Sequence, residues 1–309
     1  MLGDNIVDTL QQQLNSEDNK KYYRYLLIDM LGVTSELSEL YPQQLKQLLP
    51  PKNIEVVKRP ELLHELTSCP HLVCIGHPNQ DVNTDLLFSS MVQVGEDFLT
   101  TKPYICGWLV AQQTIDEIAQ WLPKIGLILG EMCSMRFVPF YEPFRMQLLQ
   151  DSQLTDPNWI NVFFPTNLTY YYIDIQQKLR VIEPNKDNQL LPSSLPPKIR
   201  FFQKESNNLF RLYVNWYDIK EEINQTVGEN DLITLIEHYY TASLLGLTDI
   251  KDRTIYVFYS MQYGDLQQHE KISAIIDDVA LQSPGTLSEQ FLAINSTFQA
   301  LLKNNKNKK

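Results

Sequence analysis

The sequence predicts an α+β fold: an N-terminal mixed α/β lobe built on a central sheet, followed by an all-helical C-terminal lobe. Three observations predict it. Short apolar runs alternate with helix-spaced segments from residue 22 to about residue 123. A proline-rich stretch, PNKDNQLLPSSLPPK at 184–198, then reads as a linker. Beyond about residue 206 the apolar spacing turns helical and stays so. With 309 residues, 43% of them hydrophobic, the chain is long enough to give both lobes, 20–200 and 206–303, a core of their own.

Residues 1–19 open with a short polar helix whose stripe is Ile6, Val7, Leu10 and Leu14. YYRYLLIDML at 22–31 is too short and too aromatic for a helix and reads as a buried strand. Leu37, Leu40, Leu45, Leu48 and Leu49 predict a helix over 36–49 that Pro50-Pro51 stops. Strands follow near Ile54–Val57 and at HLVCIG, 71–76. A helix over 85–98 takes Asn83 or Thr84 as its cap. PYICGWLV at 103–110 is the next strand. Thr114 and Glu117 then form a capping box before the stripe Ile115, Ile118, Ala119 and Leu122, with Pro123 as the stop. This alternation predicts that at least part of the sheet is parallel.

Between 127 and 174 the texture changes. IGLIL, MRFVPFY, INVFF and TYYYIDI read as added antiparallel strands, interrupted by a helix near 144–150. KIRFF at 198–202 reads as a last strand. The C-terminal helices follow from Leu209, Leu212, Tyr213, Trp216 and Ile223, from Leu232, Leu235, Ile236 and Tyr239, and from Ile272, Ile275, Ile276, Val279 and Ala280. TIYVFYSM at 254–261 has strand propensity but helical neighbours, and is assigned to a helix. Thr286 and Glu289 form a second capping box, ahead of Leu287, Phe291, Ile294 and Phe298.

The net charge of −11 sets the chain against binding nucleic acid, because phosphate would be repelled. The only basic run is the tail Lys303–Lys309, which reads as a solvated end. The N-terminus lacks a basic and then apolar leader, and no apolar run approaches the ~20 residues of a membrane span. The expectation is a protein that stays in the compartment where it is made. Four cysteines in a chain of this length predict reduced, buried thiols rather than a disulfide framework.

Cys69, His71, Cys74 and His77 are soft ligands close in sequence, yet a strand over 71–76 points His71 and Cys74 to opposite faces. No metal is assigned to them. No G-x-S-x-G elbow and no Gly-rich phosphate loop occurs, so neither a catalytic nucleophile nor a cofactor is assigned. The carboxylate pairs Glu221-Glu222 and Asp277-Asp278 fall beside apolar stripes and read as solvated helix faces.

Three stretches together resemble one family, the adaptor chaperones of bacterial type VI secretion effectors. YLLIDM at 25–30 is similar to the family's opening strand, where an aspartate ends an apolar run; Asp29 takes that place. From ICGWLV the chain leads to RFVPFYEPFRMQLL at 136–149, where Arg136, Phe140, Tyr141, Glu142 and Pro143 follow the family's pattern of arginine, aromatic pair, acid and proline. The third stretch is ASLLGL at 242–247 with the helix that ends at Tyr263-Gly264. The chain departs from the pattern in having Glu142 where the family has Asp, and in placing Phe144 between the proline and Arg145.

The resemblance implies a non-enzymatic adaptor of the bacterial cytoplasm. Its partners would be a secreted toxic effector, held by its N-terminal region, and the VgrG-type spike protein that receives it, with no nucleic acid, membrane insertion or cofactor involved. The residues alone support either of two roles for the 136–145 segment. Arg136 can form a bidentate pair with Glu142, and Pro143 can preset a helix start, which makes a structural clamp. Alternatively Asp29, Arg136, Tyr141, Glu142, Pro143 and Arg145 line a partner-binding edge. An immunity or structural subunit of the same system, or an enzyme with a dispersed active site, also fits the residues.

Overall fold

A computed structural model describes residues 4–152, 159–185, 190–296 and 298. The Lys303–Lys309 tail and residues 186–189 of the proline-rich stretch lie outside the described residues. The chain divides into two compact units, Met1–Lys204 and Glu205–Lys309.

The first unit runs α1 (Asp4–Leu14), α2 (Glu17–Lys20), β1 (Tyr23–Ile28), α3 (Pro42–Leu48), β2 (Ile54–Val56), β3 (His71–Gly76), α4 (Thr84–Glu96), β4 (Ile105–Ala111), α5 (Ile115–Cys133), α6 (Pro143–Gln150), β5 (Leu168–Ile173) and β6 (Leu179–Ile182). Helix α7 (Pro197–Glu222) begins here, and the division between the units falls within it. The six strands form one sheet in the order β2-β3-β1-β4-β5-β6.

Every pairing in that sheet is antiparallel, which corrects the expectation of a partly parallel one. The physical reason lies in the burial. Alternate residues of β1 enter two different cores: Tyr25 and Leu27 join one with Leu109, Phe140 and Tyr170, while Leu26 and Ile28 join the other with Leu86, Trp108 and Tyr171. A sheet covered on both faces needs continuous apolar strands whichever way they run. The apolar runs record the double burial and say nothing of direction.

Helix α5 passes through Pro123 and absorbs IGLIL, where the sequence predicted a stop and a strand. Proline costs about 3 kcal/mol inside a helix. Continuing past it buries Ile125, Leu129 and Cys133 on the face already set by Ile118 and Leu122. At roughly 1.5–3 kcal/mol for each fully buried aliphatic side chain, the packing outweighs the proline. MRFVPFY is not a strand either. Ser134 turns the chain with φ 54°, and residues 135–138 return along α5, with the Met135 and Val138 N–H groups donating to the Gly130 and Gly126 carbonyls at 2.8 and 3.0 Å. The two glycines open the groove: a Cβ on Gly126 would lie 2.3 Å from the Phe137 ring.

Other boundaries shift for local reasons. Residues 36–41 are turns rather than the start of α3, because the Ser35 and Ser38 hydroxyls accept from the Leu37 and Leu40 N–H groups at 3.2 Å and compete with the helix. Residues 160–163 of INVFF fall in a 3₁₀ helix, Trp159–Phe163, whose buried Trp159, Ile160 and Phe163 do not alternate. KIRFF is the start of α7, since Ile199, Phe202 and Leu209 recur at helical spacing. Strand β6 carries only four residues and no clear alternation, and the sequence reading missed it.

The second unit holds the rest of α7 with α8 (Asp231–Leu244), α9 (Ile250–Tyr263), α10 (Glu270–Gln282) and α11 (Leu287–Ala293). TIYVFYSM is helical, within α9. Tyr259 anchors the core, with its ring 4.8 Å from that of Phe291 and 4.7 Å from that of Phe298. Gly246 and Gly264 take φ of 83° and 86°, so the glycines after α8 and α9 stand where the backbone turns left-handed. The second capping box does not form. Thr286 donates its hydroxyl to the Ser283 carbonyl at 2.8 Å, and the buried Asp252 accepts from Gly285 and Leu287 N–H at 2.5 and 3.0 Å. No helix among the described residues is long and apolar enough to cross a membrane.

Candidate functional site

The residues carried by the resemblance gather, with one exception, at one end of the sheet of the first unit. Asp29 follows β1, and its backbone N–H donates to the Tyr104 carbonyl just ahead of β4, at 2.8 Å. Its carboxylate accepts from the Leu31 N–H at 3.0 Å and meets Arg59 at 3.4 Å. Burial raises the Asp29 carboxyl, against the pull of the Leu31 N–H and of Arg59. Burial also opposes the charge on Arg59, yet its acidic neighbours, Glu61 and Asp29 among them, leave the guanidinium held above its usual range. Arg59 bonds Glu61 through Nε and Nη2 at 3.0 and 2.6 Å, and lies over the Phe137 ring at 5.3 Å.

Glu142 and Pro143 behave locally as their types dictate. Pro143 opens α6 at the position where a missing N–H costs nothing, and Glu142 precedes it in an extended conformation. The partner of Glu142 differs from the prediction. Arg136 is exposed and makes no ion pair among the described residues, because Phe137 fills the glycine groove and turns its neighbour toward solvent. Arg145, one helical turn after Glu142, pairs with it at 3.0 Å, and Lys102 bonds the other carboxylate oxygen. Arg145 also donates to the Gln203 carbonyl at 2.7 Å, and the Gln203 amide returns a bond to the Arg145 carbonyl at 3.2 Å.

Tyr141 sits between these groups. Its carbonyl accepts from the Tyr170 hydroxyl at 3.0 Å, and that hydroxyl also reaches the Cys106 carbonyl at 2.9 Å. Its own hydroxyl is buried and has no hydrogen-bond partner among the described residues. Burial holds it well above the usual phenol range. Two ion networks thus flank it, Arg59 with Asp29 and Glu61, and Glu142 with Lys102 and Arg145. The inner pairs Asp29–Arg59 and Glu142–Arg145 are buried and fix geometry; breaking either would strand a charge.

Sequence reasoning missed Arg59, Glu61, Lys102 and Gln203, which lie outside the motif and share no spacing with it. It also missed Arg24, fully buried on β1, whose guanidinium bonds the Lys20 and His77 carbonyls at 3.1 and 2.9 Å and those of Tyr22 and Gln80. A basic residue inside YRYLLI was the available signal. The Cys/His stretch splits between the faces: Leu72 and Cys74 enter one core, Val73 and Ile75 the other, and His71 shares the alternation of Val73. All four cysteines are free and buried. Burial raises each thiol, Cys133 to about 11, which is the opposite of what a thiolate nucleophile needs. Glu221, Glu222, Asp277 and Asp278 are exposed.

Compared with protein-family models, with curated proteins and with solved structures, the chain matches none.

Proposed function

We propose that the chain is a non-enzymatic adaptor chaperone of a bacterial type VI secretion system, acting in the cytoplasm. It would hold the N-terminal region of a toxic effector and help load it onto the VgrG-type spike protein before export. The observation that carries this reading is the convergence of two separate stretches of the resemblance. YLLIDM and RFVPFYEPFRMQLL are more than 100 positions apart. Yet the two stretches meet in one apolar core, where Tyr25 and Leu27 of the first share a cluster with Phe140, Tyr141, Met146 and Leu149 of the second. Delivery can follow from competing affinities, the spike-bound state of the effector being favoured over the adaptor-bound one.

The test is to tag the chain in its native bacterium, with the secretion system expressed, and identify what co-purifies. Recovery of one large multidomain toxin together with a spike protein is the expected result, and removing the toxin's N-terminal region should abolish capture. Recovery of neither, or capture through the toxin's catalytic region alone, overturns the proposal.

A further inference from the structure

After β1 the chain does not pass straight into α3. Residues 31–40 run as a strap beside α4. Gly32 crosses so close to Tyr104 that a Cβ on it would lie 2.6 Å from the Tyr104 Cα. The Thr34 hydroxyl then bonds the Gln93 side chain at 2.6 Å, the Gln93 amide donates to the Val33 carbonyl at 3.1 Å, and the Ser89 hydroxyl bonds Glu39 at 3.1 Å. Polar groups and the fully buried Leu40 hold the strap down, while two of its apolar side chains point away: Val33 is 83% exposed and Leu37 is 93% exposed. On the adjoining helix Phe88 and Val92, one turn apart, are 62% and 49% exposed.

The charges on these two elements have one sign. Asp85 and Glu96 are exposed and bracket Phe88 and Val92 along the same face of α4, and the strap carries Glu36 and Glu39. No Lys or Arg occurs in residues 25–45 or 78–101. A second copy of the chain docked on its own patch would set acid against acid, and an anionic membrane would be repelled in the same way. The surface fits a partner that is apolar on one side and basic along its edges.

We infer that the strap and the outer face of α4 form a docking surface for a basic amphipathic segment. That segment lays apolar side chains on Val33, Leu37, Phe88 and Val92, and sets Lys or Arg against Glu36, Glu39, Asp85 and Glu96. That this segment belongs to the effector's N-terminal region rests on the adaptor reading above. Apolar contact supplies the affinity, and the acidic rim supplies orientation and a dependence on salt.

The probes are three fluorescent peptides of equal length with helical spacing: Lys/Leu, Glu/Leu and Lys/Ser. Fluorescence anisotropy with the whole chain should give saturable binding of Lys/Leu, weakened several-fold between 50 and about 300 mM salt as screening grows. The Glu/Leu and Lys/Ser peptides should bind at least 10-fold more weakly, lacking in turn the charge and the apolar face. The double variant Leu37→Ser/Phe88→Ser alters only exposed side chains and should lose at least 10-fold in Lys/Leu affinity. Leu281→Ser, an exposed change in the second unit, should lose none. Equal binding of Glu/Leu, an unaffected double variant, or sedimentation as a dimer that the double variant dissolves overturns the inference. The same variants in the co-purification separate the two claims. An effector captured by wild type and double variant alike removes the docking surface and leaves the adaptor reading. No effector captured by wild type, with Lys/Leu binding still lost in the double variant, removes the adaptor reading and leaves the surface.

Discussion

Asp29 Oδ2 lies 3.4 Å from Nη1 of Arg59, and both side chains are buried. The pair joins the end of β1 to the segment after β2, and Arg59 extends it to Glu61. Replacing one partner of a buried pair leaves a charge without compensation, which costs about 3–5 kcal/mol. Arg59→Ala should therefore lower the urea midpoint of the first unit by an amount equivalent to about 3 kcal/mol or more. A loss under about 1 kcal/mol would mean that water reaches the pair and solvates Asp29.

Arg145 and Arg136 offer a sharper contrast, because the sequence favoured the wrong one. Arg145 bonds Glu142 and the Gln203 carbonyl while buried, and Arg136 is exposed. Arg145→Ala should cost about 2–4 kcal/mol, whereas Arg136→Ala should stay within about 0.5 kcal/mol. Arg145→Lys should rescue only part of the loss, since an ammonium lacks the planar fork that serves two acceptors at once. Chemical unfolding of the three variants checks the order. Equal losses for the Arg136 and Arg145 alanine variants would refute it.

Asp97 links stability to pH. Its carboxylate accepts from the Tyr104 and Ile105 N–H groups at 2.8 and 2.9 Å and from the Gln93 amide at 2.9 Å. Burial nonetheless pushes it up to about 6. A carboxyl whose folded value is raised stabilises the fold fully below the unfolded value, near 4, and that contribution is lost as pH rises through about 6. Within that window this group makes the protein less stable with rising pH. Asp97→Asn should flatten the slope between pH 4 and about 6, measured as urea unfolding free energy at unit steps of pH. Parallel curves for the wild type and the variant would show that the three N–H donors keep Asp97 ionised throughout.

What could be read from the sequence was whatever depends on local period and type. HLVCIG matches β3 residue for residue, Asn83 caps α4, and Pro143 opens α6. The direction of the strands could not be read, because burial on both faces erases the alternation that marks an antiparallel sheet with one wet face. The passage of α5 through Pro123 was hidden because its compensation, the buried stripe down to Cys133, is tertiary. The two ion networks were half legible. Asp29 and Glu142 could be named, but Arg59, Lys102 and Gln203 reach them only through the fold. Residues 36–40 of the strap were read as the start of a helix because Leu37 and Leu40 mimic its period, while the Ser35 and Ser38 side chains break it there.

Two glycines test the packing of α5 and α4 with the same substitution and opposite signs. A Cβ on Gly126 would meet the Phe137 ring at 2.3 Å, while one on Gly95 would meet nothing within 4 Å. Removing a glycine from a helix gains about 0.5–1 kcal/mol when the site is open. Overpacking costs about 1–3 kcal/mol when it is not. Gly95→Ala should raise the melting temperature by a few degrees, and Gly126→Ala should lower it. A rise in both would mean that Phe137 can leave the groove freely, and that Gly126 is not what holds the return segment against α5.

The start of α11 separates a side-chain motif from the contact that replaces it. Thr286 and Glu289 have the spacing of a capping box, but Thr286 spends its hydroxyl on the Ser283 carbonyl. Asp252, buried in α9, accepts from the Gly285 and Leu287 N–H groups instead. A helix start left unsatisfied in a dry environment is costlier than one facing water. Asp252→Ala should therefore destabilise the second unit by about 2 kcal/mol or more, and Asp252→Asn, which keeps an acceptor oxygen, by less. Thr286→Ala should change stability by no more than about 0.5 kcal/mol. Amide hydrogen exchange reads the effect locally: Gly285 and Leu287 should lose protection in Asp252→Ala and keep it in Thr286→Ala. The reverse pattern would restore the capping box and make Asp252 a bystander.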